Sequence, residues 1–183
     1  MAIHEQQREK EVATIKELLR AFPDFPQKGI VFQDIFPIFQ DPAAVKLLIT
    51  HFERYCEEHL SKVDVVVGLD ARGFLLGPML ACQLGAAFVP VRKQGKLPGP
   101  CISAQYTKEY GTDHFDMQLG AIQPNQNVII LDDLIATGGS ASAAAELVKQ
   151  SGGNILSFLF IIELITLDGA KQLPAPVYSM LQF

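Results

Sequence analysis

The chain has 183 residues, 49% of them hydrophobic, and its 15 lysines and arginines against 20 aspartates and glutamates leave a formal charge of -5. This length and apolar content predict one domain over 1–183 that buries roughly 70% of the surface its unfolded chain exposes, and they exclude disorder for most of it. The acidic balance excludes a protein that coats a nucleic-acid backbone, and the richest apolar run, Ile155 to Ile162, falls short of the ~20 residues of a membrane-spanning helix.

The first ten residues are polar and carry acids, unlike a secretory signal or a transit peptide, so a cytoplasmic protein is expected. Val12, Ile15, Leu18, Leu19 and Phe22 recur at steps of three and four, which predicts an amphipathic helix ending near Ala21. Pro23, Pro26 and Gly29 break it, and Ile30-Val-Phe32 predicts a short strand within a loop that reaches Pro37. Asp41-Pro42 has the form of an N-cap followed by proline in the first turn, and Val45, Leu48, Ile49, Phe52 and Cys56 continue a second helix to about His59.

Beyond His59 the pattern changes to short apolar runs: Val63 to Leu69, Ala87 to Val91, Val128 to Leu131, Ile155 to Leu164 and Val177 to Leu181. Between them Phe74 to Leu84 and Ala141 to Gln150 are of helical composition. Apolar runs of this kind belong to strands buried on both faces, and their alternation with helices predicts an α/β, doubly wound, mainly parallel sheet flanked by helices, with helical N-terminal elements. Lys93 to Gln118 is expected to be irregular, a loop long enough to act as a lid. Cys56, Cys82 and Cys101 signal neither a disulfide framework nor a zinc site, and His4, His51, His59 and His114 are expected at the surface or in packing.

The chemistry concentrates in Val128-Ile-Ile-Leu-Asp132-Asp133-Leu-Ile-Ala136-Thr137-Gly138-Gly139-Ser140, where a buried strand delivers two carboxylates and then a glycine turn at a helix start. Backbone N–H groups of Ala136 to Ser140 can converge on an anion, favoured by the helix dipole, with hydroxyl donors from Thr137 and Ser140. Acids beside an anion cradle suit a ligand with both a phosphate and vicinal hydroxyls, such as a ribose 5-phosphate. A magnesium site like that of a receiver domain is the rival use of paired acids, and it leaves the glycine turn without a role. Neither G-x-x-x-x-G-K-[ST] nor G-x-G-x-x-G occurs, which argues against a P-loop NTPase and a dinucleotide dehydrogenase.

Four apolar residues, two acids, two apolar residues and A-T-G-G-S resemble the 5-phosphoribosyl-1-pyrophosphate motif of type I phosphoribosyltransferases. Phe22-Pro-Asp-Phe-Pro26, Gly29-Ile-Val-Phe32, Asp34-Ile35, Gly68-Leu-Asp-Ala-Arg-Gly-Phe74, Arg92-Lys93, Gly95-Lys-Leu-Pro-Gly99, Glu109-Tyr110-Gly111 and Glu163-Leu164 narrow the resemblance to the adenine phosphoribosyltransferase family, over about residues 12 to 183. The resemblance implies the type I phosphoribosyltransferase fold with an N-terminal hood and a flexible catalytic lid. It implies transfer of phosphoribose from phosphoribosyl pyrophosphate to adenine, giving AMP and pyrophosphate, in a purine-salvage homodimer. Mg2+ arrives on the pyrophosphate, with no direct metal ligands from the chain.

Carried over residue by residue, the family assigns pyrophosphate binding to Asp70, Ala71, Arg72, Arg92 and Lys93, with Arg92 reaching toward a partner's site. It assigns the ribose phosphate to Asp132, Asp133 and Ala136 to Ser140. Val31 and Leu164 are implied at adenine, Glu109 as a base or positioning group, and Tyr110 over the ribose. Gln33 and Gln94 stand where many relatives have arginine, and Ala71 where serine is frequent. A non-catalytic sensor on the same fold would ordinarily need a DNA-binding module, for which the chain has no basic helix. Transferases for 6-oxopurines generally place a lysine near the end of the sheet, where this chain has Glu163-Leu164.

Overall fold

The computed structural model describes residues 2–107 and 112–183, and the chain divides into two compact units, Met1–Arg54 and Tyr55–Phe183. The first unit holds helix α1 (Ala2–Leu18), a two-stranded antiparallel sheet of β1 (Arg20–Pro23) and β2 (Val31–Asp34), the single turn α2 (Phe36–Phe39) and most of α3 (Pro42–His59). The helix expected to reach Ala21 stops at Leu18. Residues 20–23 instead pair with 31–34, from Arg20 opposite Asp34 to Pro23 opposite Val31, so their backbone groups bond across a ribbon. Arg20 Nη2 reinforces it at 3.0 Å from Asp34 Oδ2.

Asp41 caps α3 as expected, its Oδ1 accepting the Ala43 N–H at 2.8 Å. Ile15, Ile35, Ile38, Leu48 and Phe52 are fully or almost fully buried in this unit, each such side chain contributing about 1.5–3 kcal/mol. His51 is buried too. Its Nδ1 lies 2.7 Å from Glu11 Oε2, and Arg54 Nη1 donates to both Glu11 oxygens at 2.9 and 3.0 Å, which ties α1 to α3.

The second unit is built on a seven-stranded sheet with helices between strands. Its strands are β3 (Val65–Leu69), β4 (Ala87–Lys93), β5 (Cys101–Thr107), β6 (Thr112–Gln118), β7 (Asn127–Ile135), β8 (Asn154–Glu163) and β9 (Val177–Gln182). The spatial order is β5-β6-β4-β3-β7-β8-β9, parallel from β4 through β9 and antiparallel at β6. Every residue of β3 is buried, which is why it has no apolar alternation.

Val65, Val67 and Leu69 join the core that includes Ala144, Leu147 and Val148 of helix α5 (Gly139–Gln150). Gly68 faces the other way, toward helix α4 (Gly73–Leu84). A Cβ at Gly68 or Gly77 would fall 2.7 or 2.3 Å from the Phe88 ring, so the two glycines make room for that ring between strand and helix. The helices thus cover opposite faces of the sheet, as a doubly wound fold requires.

The segment from Lys93 to Gln118 is not the irregular loop expected of it. It contains the β5–β6 hairpin, whose Ala104, Phe115 and Met117 are buried in the core against α5. Inward Ile102 and Ala104 alternate with Ser103 and Gln105, the period of a strand with one wet face. Among the described residues no helix is long and apolar enough to cross a membrane.

Candidate active site

β3 and β7 are parallel neighbours, so their C-terminal ends open on one edge of the sheet. From there the chain leaves β3 for α4 on one face and β7 for α5 on the other. Open α/β sheets bind ligands in the crevice formed where connections diverge in this way. A cleft of about 290 Å³ lies there, lined by Asp70, Arg72, Asp132, Asp133, Ala136, Thr137, Gly138, Gly139 and Ser140 among others.

The start of α5 and the turn before it, Ala136 to Ser140, line the cleft and form the candidate cradle. Gly138 caps α5 with a φ of 83°, a left-handed conformation that a side chain would strain. A Cβ there would also stand 2.6 Å from the carbonyl oxygen of Gly169. The first-turn N–H groups of α5 have no partner within the helix and carry its positive end, the arrangement that binds phosphate in many folds.

The two acids lie inside β7, which runs four residues beyond the expected end at Leu131. Asp132 Oδ1 accepts the Asp133 N–H at 2.9 Å, and the absence of a side chain on Gly73 lets α4 begin against the strand. A Cβ there would sit 2.7 Å from Leu131 O and 3.3 Å from Asp132 Oδ1. Asp133 is 2% exposed. Arg72 Nη1 stands 2.9 Å from Asp133 Oδ2, close enough for an ion pair but without the alignment of a directed hydrogen bond.

Burial, and then the charge of Asp133, push the Asp132 carboxyl well above the usual aspartate range. Asp133 is also raised by burial, a shift that Arg72 opposes. Two buried carboxylates that raise each other's cost, with Asp133 Oδ2 accepting no hydrogen bond, are a poor way to stabilise a fold and a good way to receive hydroxyl donors.

Of the other expected site residues, Asp70 lines the cleft and Arg92 reaches it indirectly. Arg92 Nε donates to Asp70 Oδ2 at 3.0 Å, Nη1 donates to Lys96 O at 3.1 Å, and the guanidinium lies 5.8 Å from the centre of the Phe74 ring. Ala71 and Lys93 are exposed and do not line the cleft; the Asp70–Ala71 peptide bond is cis. Leu164 follows β8, its N–H donating to Ile135 O at 3.0 Å beside the end of β7. Val31, in β2 of the first unit, is 54% exposed. Glu109 and Tyr110 lie outside the described residues.

Asp116, Ser103 and Gly169, which no sequence motif marks, also bear on the site. Asp116 is 5% exposed; it accepts the Gly95 N–H at 2.8 Å and the Ser103 hydroxyl at 2.6 Å, fastening the turn after Arg92 to the hairpin. Its polar setting in an apparently irregular stretch concealed it, and only the alternation around Phe115 and Met117 could have marked a strand.

The sequence model of the phosphoribosyl transferase domain matches residues 38–177. The adenine phosphoribosyltransferase of Yarrowia lipolytica is 55% identical over 169 residues, covering 91% of this chain and 93% of that protein. The crystal structure of the Saccharomyces cerevisiae adenine phosphoribosyltransferase, complexed with D-2,5-dideoxy-2,5-imino-altritol 1,6-bisphosphate and adenine, superposes with a TM-score of 0.93 at 50% identity, covering 94% of this chain and 99% of that one. The Trypanosoma brucei enzyme, in complex with AMP, pyrophosphate and ribose-5-phosphate, keeps a TM-score of 0.81 at 26% identity over 94% of this chain and 78% of its own. Sequence and fold agree over nearly the whole length, and the chain belongs to the phosphoribosyltransferase family, among the adenine phosphoribosyltransferases.

Proposed function

We propose that this chain transfers the 5-phosphoribosyl group from 5-phosphoribosyl-1-pyrophosphate to adenine, releasing AMP and pyrophosphate in purine salvage. The observation that carries this reading is the pairing, in one cleft, of a backbone anion cradle with two desolvated carboxylates. A phosphate with vicinal hydroxyls satisfies both. The relatives' adenine and ribose phosphate ligands support the same choice.

In this reading the Ala136–Ser140 cradle holds the 5′-phosphate, and Asp132 and Asp133 accept hydrogen bonds from the ribose hydroxyls. Arg72 turns its planar fork to the pyrophosphate, beside Asp70 and Ala71. Arg92 and Lys93 complete that end, with Arg92 held by Asp70 until the ligand competes for it. Departure of pyrophosphate leaves positive charge on the ribose carbon, so the residues act by positioning and by charge placed in advance.

The acidic pair suits a ligand that arrives with a cation. Mg2+ bound to phosphoribosyl pyrophosphate would neutralise charge on the leaving pyrophosphate; among the described residues no group of three or more metal-ligating side chains is present to cage an ion apart from that ligand. Val31 and Leu164 supply apolar contacts to adenine. Glu109 takes the N9 proton or fixes the base, and Tyr110 closes over the ribose.

Both units serve one transferase domain over 1–183, a reading supported by relatives that align over nine-tenths of the chain. The protein works as a cytoplasmic homodimer. Exposed Leu75 and Met79, one turn apart on α4, together with exposed Cys82, support a partner on that face. Radiolabelled adenine, guanine and hypoxanthine, each offered with phosphoribosyl pyrophosphate and Mg2+, test the function. AMP alone should form, and nucleotide from a 6-oxopurine at comparable rate, or none from adenine, would refute it.

A further inference from the structure

The roles above leave unused a buried glycine behind the phosphate cradle. After β8 the chain makes two short 3-10 segments, Ile165–Leu167 and Gly169–Gln172, joined at Asp168 with a φ of 54°. Residues 165–168 are exposed, whereas Gly169 is buried. What buries it is the cradle itself. A Cβ at position 169 would stand 2.2 Å from Ala136 O, 2.7 Å from Gly138 N and 2.8 Å from Thr137 C.

Every one of these neighbours is backbone, so no side-chain rotation can relieve the contact. Gly169 is not among the residues with positive φ, and the demand for glycine here is therefore steric rather than conformational. The segment is tied to the cradle on the β8 side, and an exposed ion pair spans its turn. Leu164 N–H donates to Ile135 O, immediately before the cradle, and Lys171 Nζ lies 2.6 Å from Asp168 Oδ1 across the turn.

We infer that Gly169 is a positioning residue for the phosphate site: its missing side chain sets how far the Ala136–Gly138 backbone withdraws from the cleft. The inference rests on the cradle's being the phosphate site of the proposed function. A methyl group at 169 needs ordinary contact near 3.4 Å where 2.2 Å is available, so the cradle must move by about 1 Å. Amide–phosphate hydrogen bonds do not survive such a shift, because their strength falls off within a few tenths of an ångström. Ground-state and transition-state binding of the phosphate suffer alike, so the Michaelis constant for phosphoribosyl pyrophosphate should rise while turnover is largely kept.

The test is calorimetric titration of ribose 5-phosphate and, separately, of magnesium pyrophosphate into the full chain and its Gly169→Ala and Asp168→Ala variants. Gly169→Ala should weaken ribose 5-phosphate at least tenfold and leave pyrophosphate within twofold. Asp168→Ala loses the ion pair and a side chain tolerant of positive φ, which loosens the turn; it should weaken ribose 5-phosphate about threefold, again sparing pyrophosphate. Should Gly169→Ala fail to fold, Asp168→Ala decides by the same selectivity.

Equal loss of both ligands would mean a general packing role and overturn the inference, as would unchanged ribose 5-phosphate affinity in the folded variants. Failure of the unmodified chain to bind ribose 5-phosphate would instead remove the proposed phosphate site, and this inference with it.

Discussion

Glu11 in the first unit receives hydrogen bonds from His51, Arg54 and Gln7, whereas Asp132 and Asp133 at the end of β7 crowd each other, and Asp133 Oδ2 stands 2.9 Å from Arg72 Nη1 without accepting a hydrogen bond. Both groups have been taken out of water. Burial pushes the Glu11 carboxyl up, but its three donors outweigh that and hold it below the usual glutamate range, while Asp132 and Asp133 stay raised. A buried acid with its donors supplied by the fold fixes structure. One whose acceptors wait for donors is suited to binding, and its cost in stability is borne by the rest of the domain.

Glu11 is where one substitution separates the two clusters most. Replacement by alanine leaves His51 and Arg54 without their acceptor and should cost about 3 kcal/mol, the lower end for a broken buried pair because Arg54 keeps contact with water. Urea unfolding measures the loss, and kcat/KM per folded molecule should stay within twofold. An undiminished unfolding midpoint would mean that the cluster does not hold α1 to α3.

Asp132→Ala and Asp133→Ala should reverse that pattern. Each removes a charged acceptor worth roughly 1.5–3 kcal/mol to a hydroxyl donor, so kcat/KM for phosphoribosyl pyrophosphate should fall about 10- to 150-fold with stability unchanged or improved. Steady-state kinetics at limiting substrate decide it. Another buried acid, Asp116, lies between the extremes with two neutral donors. Asp116→Asn should cost about 1 kcal/mol of stability, read in the same urea experiment, because one of the two bonds can be rebuilt.

Dependence on pH separates the two clusters by sign. Glu11 and His51 both have lowered values, so the stability they contribute is present above the ordinary values of 4.5 and 6.5 and is lost as pH falls through and below that range. The raised aspartates act oppositely in the unliganded protein. Their contribution is full below the ordinary 3.8 and is lost as pH rises through their folded values. Melting temperatures against pH should therefore show a Glu11→Gln deficit that shrinks in acid and an Asp132→Asn gain that grows with rising pH.

The β7 cradle was legible because its demands are local in sequence: a buried strand, two acids and a left-handed Gly138 within a dozen residues. Asp41 at the start of α3 was legible for the same reason. The β5–β6 hairpin was not, since glycines and prolines before Cys101 masked the alternation of Ile102 and Ala104 with Ser103 and Gln105. Gly169 was invisible because its constraint is a contact with Ala136 more than thirty residues away in the chain. His51, expected at the surface or in packing, gave no hint that it would be buried against an acid forty positions earlier.

Asp132→Asn, measured for the melting temperature of the unliganded protein and for AMP affinity in parallel, decides whether the raised aspartates receive ribose hydroxyls. Asparagine keeps the shape and removes the charge that burial disfavours. The expected result is a higher melting temperature at neutral pH together with at least tenfold weaker AMP binding; a variant that binds AMP as tightly as the unmodified chain, or melts lower, would overturn the ribose assignment.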